Sequence, residues 1–129
     1  MSDARRLSVT IVTIADGSAT GYIGTGDPLT GKLIYIGYTK AGSANYTDGV
    51  DFVATVEDTT QAVWTGTNVN ASTQVYPRHP VSDYAGAASL YAALGEPVED
   101  HIYLANDRIK IVIAAGGDTK TGTFYALVA

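Results

Sequence analysis

Cysteine is absent from all 129 residues. That excludes disulfides, thiolate nucleophiles and cysteine-based zinc sites together, and it leaves the redox compartment open. Charge is scarce too. Asp, Glu, Lys and Arg make up 16% of the chain, the net charge is -5, and Arg5-Arg6 is the only pair of adjacent cations. Neutralising phosphates takes a basic stripe or cluster, so nucleic acid is not an expected partner. No apolar run reaches the roughly 18 residues of a membrane helix, and the opening MSDARR lacks the apolar core of a signal peptide. No membrane role is expected, and synthesis in the cytoplasm without self-directed export is.

What is present favours β structure. Thr, Gly and Ala are plentiful, and 46% of residues are hydrophobic, a mix that suits strands and tight turns. A chain of this length reads as one domain spanning 1–129, with 1–6 as a short N-terminal arm. Nine tyrosines stand against two phenylalanines and one tryptophan. Nine such rings cannot all enter one small core. Tyrosine combines large contact area with a polar tip, which suits strand ends, protein interfaces and carbohydrate faces.

The C-terminal stretch 102–129 organises the rest. In Arg108-Ile109-Lys110-Ile111-Val112-Ile113 the isoleucines fall on one face and two cations on the other; Phe124, Ala126 and Val128 alternate in the same way. With Gly116-Gly117-Asp118 and Lys120-Thr121-Gly122 between them, the two runs are predicted to form a β-hairpin. Upstream, residues 7–15 form a strand whose apolar phase flips after Ile11, so that Val12 and Ile14 oppose Leu7 and Val9. A bulge or a strand shared by two sheets is expected there. Residues 32–39 are apolar on both faces and belong in a sheet centre. In 50–57, Val50, Phe52, Ala54 and Val56 point inward, with Val53 the exception. Short strands follow at 61–65 and 73–76, and another begins at His101. Pro77 and Pro80 break the ladder between them. Residues 83–94 place Tyr84, Ala88, Tyr91 and Leu94 at helical spacing after Ser82, so a short helix and an ordered loop both fit. About eight short strands separated by turn signals give an all-β fold, an antiparallel β-sandwich or partly closed barrel.

Catalytic chemistry is not legible. The acids are scattered and none has calcium-loop spacing. Asp51, Glu57 or Glu99 would have to converge in space to act as a glycosidase pair. His79 and His101 lack a nucleophile or a third metal ligand, and read as a surface and a hydrogen-bonded side chain respectively. Gly24-Thr25-Gly26 and Gly116-Gly117 lack the Lys-Ser/Thr and the helix of a phosphate loop. No cofactor, no metal and no enzymatic activity are expected.

Several motifs carry a family likeness: Gly49-Val50-Asp51-Phe52, Trp64, Asn68-Val69-Asn70-Ala71, Tyr76-Pro77-Arg78, Leu104-Ala105-Asn106-Asp107-Arg108, and Gly116-Gly117 followed by Lys120-Thr121-Gly122-Thr123-Phe124. With them the chain resembles small virion structural proteins of tailed bacteriophages and prophages, encoded among the genes for head formation. The resemblance covers most of the chain and is weakest over 24–46. It implies a capsid decoration or cement protein on the outer face of the virion shell, with the major capsid protein as partner and a homo-oligomer, a trimer by analogy with local three-fold points. A head-fibre or tail-associated receptor- or glycan-binding module is the alternative, and a neck or head-tail connector component a lesser one. The candidate contact residues are Arg5 and Arg6 on the arm, Tyr76, Arg78 and His79 in the proline-bracketed loop, and Asp118 and Lys120 at the C-terminal turn.

Overall fold

Ile109, Ile111 and Ile113 are fully buried, and so are Phe124 and Ala126. The two alternating runs do aim their apolar faces into a common core, but from opposite sides of it. In the computed structural model, which describes residues 4–40 and 43–129, ten strands form two antiparallel sheets and no helix occurs among the described residues. The strands are β1 (Arg5–Val12), β2 (Ala19–Ile23), β3 (Leu29–Thr39), β4 (Val50–Val56), β5 (Ala62–Val69), β6 (Thr73–Val75), β7 (Arg78–Pro80), β8 (Glu99–Asp107), β9 (Ile109–Ala114) and β10 (Thr121–Val128). One sheet runs β1-β10-β3-β8-β7, with β6 also paired to β3; the other runs β2-β9-β4-β5. The architecture is a β-sandwich of two open sheets, not a closed barrel.

The predicted C-terminal hairpin is therefore an arch. β9 pairs with β2 and β4, while β10 pairs with β1 and β3. Side-chain alternation is identical in a hairpin and in an arch that crosses between facing sheets, so periodicity alone does not separate them. The connecting loop 115–120 decides. Ala115, Gly117 and Thr119 all adopt positive φ, and the loop is tied to its neighbours on several sides. Gly116 N–H donates to the Gly17 carbonyl at 2.9 Å, and Thr47 N–H to the Gly116 carbonyl at 3.0 Å. Thr13, 3% exposed, is the central clasp: its hydroxyl donates to the Gly117 carbonyl at 2.6 Å and accepts from Lys120 N–H at 2.8 Å. Thr13→Val keeps the shape but strands both loop groups, and it is expected to cost about 1–3 kcal/mol in urea unfolding.

Thr13 also explains the phase flip in the first strand. β1 pairs with β10 from Arg5 to Val12 without a register shift, so there is no bulge. Leu7, Val9, Ile11 and Thr13 stay on the inner phase, and Val12 and Ile14 are simply exposed. Of the expected arm 1–6, Arg5 and Arg6 belong to β1, and residues 1–3 lie outside the described residues. β7 contains Pro80 because it closes its sheet order as an edge strand, where a missing N–H leaves no ladder bond unmade. The predicted central strand is β3, flanked by β10 on one side and by β8 and β6 on the other.

The core is an aromatic cluster bridging the sheets. Phe52 of β4 lies 4.9 Å from the rings of both Tyr38 (β3) and Phe124 (β10). Tyr46 stacks on Tyr38 at 5.7 Å and donates its hydroxyl to the Ile11 carbonyl at 2.6 Å. Gly122 makes room for this pair: a Cβ there would stand 2.8 Å from Tyr38 Cε1.

No helix forms at 83–94. Asp83 Oδ1 accepts from Ala85 N–H at 2.9 Å and Ala87 N–H at 3.0 Å, and Gly86 and Leu94 take positive φ. Such local side-chain bonds compete with helix. More decisively, no apolar surface lies opposite Tyr84, Tyr91 and Leu94, so a helix here would gain nothing by packing.

Candidate functional site

Arg6, Ser8 and Thr10 of β1 alternate with the core residues and so point outward. Register aligns Ser8 with Tyr125 and Tyr125 with Gly37, which in turn faces Gln74 of β6. The next row holds Arg6, Leu127 and Tyr35. Gly37 has no side chain, and the Tyr125 ring lies over it. Tyr125 donates its hydroxyl to Gln74 Oε1 at 2.9 Å, and Gln74 Nε2 donates to the Tyr76 hydroxyl at 2.8 Å. Tyr35 meets Tyr76 and Tyr125 edge-on at 6.0 and 5.8 Å. The Arg6 guanidinium sits 4.4 Å above the Tyr125 ring and makes no ion pair among the described residues. The result is a preorganised aromatic platform on the outside of the larger sheet, with a cation at one margin and an exposed tyrosine at the other.

Two predicted contact residues, Arg6 and Tyr76, are thus brought into one cluster. The others are not. Arg5 forms an ion pair with Asp27. Arg78 pairs in register with His101, and His79 places Nδ1 3.2 Å from the Pro80 carbonyl oxygen. Asp118 accepts from the Thr119 hydroxyl at 2.8 Å. Asp118 and Lys120 belong to the arch loop, about 20 Å along β10 from the platform at roughly 3.3 Å per residue. Sequence reading missed Tyr35, Gln74 and Tyr125. Their signal was the period-two placement of Tyr125 and Leu127 opposite Phe124 and Ala126.

The second feature is the excursion 81–98 between β7 and β8. Its backbone is well bonded: Val81 N–H to the Val98 carbonyl at 2.8 Å, Ser89 N–H to Val81 at 3.0 Å, Val98 N–H to Ser89 at 2.8 Å, and Tyr91 N–H to Glu96 at 3.1 Å. Isolated bridges join Ser82 to Ala88 and Leu90 to Pro97. Yet Tyr84 and Leu94 are 105% and 101% exposed, and Leu90 and Tyr91 are exposed as well. An ordered arm that holds four large apolar side chains in water has the character of a contact element.

Two clefts open on the flank of the sandwich. One, of ≈ 480 Å³, is lined by Pro28, Glu57, Asp58, Ala105, Asn106, Asp107 and Arg108. The other, of ≈ 370 Å³, includes Val56, Gln61, His79, Tyr103 and Asp107. Arg108 donates to both oxygens of Glu57, at 2.9 and 2.5 Å, and its guanidinium lies 4.1 Å over the Tyr22 ring. The hydrogen bonds from Arg108 to Glu57 raise the arginine's pKa above its ordinary value. Asp107 Oδ2 accepts from Ala105 N–H at 3.0 Å. Glu57 and Asp107 are therefore already engaged.

Asp51, at the start of β4, accepts from Asn68 N–H at 2.9 Å. It lines neither cleft, nor does Glu99, so the three acids considered for hydrolysis do not share a pocket. No group of three or more His, Asp or Glu suited to a metal ion occurs among the described residues. The Arg108–Glu57 pair is about one-third exposed and hence screened by solvent. Glu57→Gln is expected to lower Tm by less than Thr13→Val does, with the difference from wild type shrinking in 1 M salt.

No protein-family model matches the chain, and no curated protein matches it. Among solved structures it is similar to the crystal structure of FLHE, with a TM-score of 0.49 over 98% of each chain at 8% sequence identity.

Proposed function

We propose that this chain is a non-enzymatic virion structural protein of a tailed bacteriophage that decorates the outer face of the major capsid shell as a homo-oligomer. The observation that carries the reading is the arm 81–98. Its backbone is held by its own hydrogen bonds while Tyr84, Leu90, Tyr91 and Leu94 face solvent, an arrangement that becomes favourable when copies or partners cover it in an assembly. A decorating protein repeats one modest contact many times and gains avidity from symmetry, and a rigid sandwich carrying a prepared arm suits that role. The sequence resemblance to head-gene products supplies the virion context, and a trimer at local three-fold points remains the oligomer expected from it.

Mass spectrometry of purified particles tests the reading. A copy number comparable to that of the major capsid protein is expected; a handful of copies would move the protein to the neck or tail, and none would overturn the assignment. The platform of Tyr35, Tyr76, Tyr125 and Gln74 favours a second reading, a glycan-binding module. A glycan array with the purified protein checks it, with loss of binding in Tyr76→Ala as the expected signature.

A further inference from the structure

The arm and the platform are complementary in three respects. The first is charge. Segment 81–98 contains Asp83 and Glu96 and no Lys or Arg, whereas β1, β3 and β10 contain no acidic residue and carry Arg6 and Lys32, besides Arg5, which Asp27 already engages. The second is chemistry. The arm offers two exposed tyrosines and two exposed leucines, and the platform offers Leu127 and the Tyr35, Tyr76 and Tyr125 rings, already held by Gln74, by Arg6 and by one another. Aromatic groups prepared in this way lose little entropy on binding. The third is position. The arm leaves the sheet beside β7, at one end of the strand order, and Arg6 lies on β1 at the other end.

From these we infer that the arm of one copy docks on the outer face of β1, β10 and β3 of a second copy, giving a head-to-tail contact. The inference rests on reading the arm as an assembly element and names what covers it. With the arm beyond β7 and the Arg6 margin of the platform on β1, every copy can give an arm and receive one. Such a heterologous contact closes into a ring if the rotation permits and grows as a chain if it does not. Burying Tyr84 and Tyr91 alone would contribute roughly 300–500 Å², a large share of the about 800 Å² per partner in a standard interface. Because opposite charges flank the contact, association weakens as salt rises.

The test uses the full chain and two double variants. Tyr84→Ser with Leu94→Ser disables the arm, and Arg6→Glu with Tyr76→Ser disables the platform. All four residues are exposed, so circular dichroism and Tm should stay near wild type; Arg6→Glu alone serves as a second platform variant that leaves the Tyr76 hydrogen bond in place. By light scattering and sedimentation, wild type should self-associate with concentration, and each variant alone should associate at least tenfold more weakly. Mixed together, the two variants should form a discrete one-to-one heterodimer, because the arm variant keeps a platform and the platform variant keeps an arm.

A wild type that stays monomeric at every concentration overturns the inference, as does an arm variant that associates normally or a mixture that yields no heterodimer. Glycan binding at the platform without self-association also overturns it in favour of a saccharide occupant. The particle measurement separates this from the wider proposal. Self-association without incorporation into particles leaves the contact standing and removes the capsid role, and incorporation of a monomer does the reverse.

Discussion

Phe52→Ala is expected to lower the free energy of unfolding by about 3–5 kcal/mol, the range for removing a buried aromatic ring when the cavity closes only in part. Phe52 is fully buried, and its ring is the common neighbour of four others: Tyr38 and Phe124 at 4.9 Å, Trp64 at 5.6 Å and Tyr46 at 6.1 Å. Phe52 and Trp64 belong to one sheet, and Tyr38 and Phe124 to the other. Truncation therefore opens a void at the seam between the sheets, where collapse would require one whole sheet to shift toward the other. Against a typical total of about 5–15 kcal/mol, such a loss leaves little of the fold's stability. Phe52→Leu, which keeps most of the volume, should cost well under half as much. Urea titration of both variants with an unchanged m-value is the check, and a loss below about 1 kcal/mol for the alanine variant would contradict the packing described.

Raising the pH above 10 is expected to destabilise the protein steeply. Burial pushes the Tyr46 phenol well above its ordinary value of 10.0, with the neighbouring Tyr38 adding to the shift. Tyr38 is raised too, by burial and then by the Asp48 charge. The neutral Tyr46 hydroxyl also donates to the Ile11 carbonyl, and the phenolate has no proton to give. Between pH 10 and the folded-state value, the unfolded chain releases the phenolic proton while the folded chain keeps it. The unfolded state then binds fewer protons, so stability falls as pH rises and is fully present below pH 10. For Tyr46 the slope approaches about 1.4 kcal/mol per pH unit. Denaturant midpoints measured from pH 9 to 12 should follow this fall, and Tyr46→Phe should flatten it while lowering stability at neutral pH through the lost hydrogen bond. A stability flat across that range would show that the phenols titrate freely in the folded state.

Legibility varied by element. The inward residues of β4, β9 and β10 were readable because each strand has one buried face and a side-chain period of two, so burial writes itself into the order of residues. The arch was not readable, since its loop is held by Thr13, Gly17 and Thr47 from distant parts of the chain. Val12 and Ile14 misled for the converse reason: exposed apolar side chains are tolerated singly, and they imitate a second buried face. At 83–94 the helical spacing of Tyr84, Tyr91 and Leu94 was real, but periodicity predicts a helix only where a core exists to receive the stripe.

For the candidate site, Arg6 and Tyr76 were singled out as contact residues on an arm and in a loop; Arg6 lies instead in β1, whereas Tyr76 does lie in the link between β6 and β7. They border one platform because β1 and β6, which Tyr76 follows, lie on the same sheet with β10 and β3 between them, an arrangement of residues 70 positions apart that local pattern does not encode. By itself, then, the sequence determined the all-β class, the inner faces of the main strands and the charge segregation between segment 81–98 and strands β1, β3 and β10, because these are properties of composition and of a period-two backbone. Only the tertiary structure decided which sheet each strand joined, that β9 and β10 face one another across the core, and that Arg6, Tyr35, Gln74, Tyr76 and Tyr125 share one surface. Strand pairing is selected by competition among long-range partners for the same backbone hydrogen bonds, and the outcome depends on the whole chain at once.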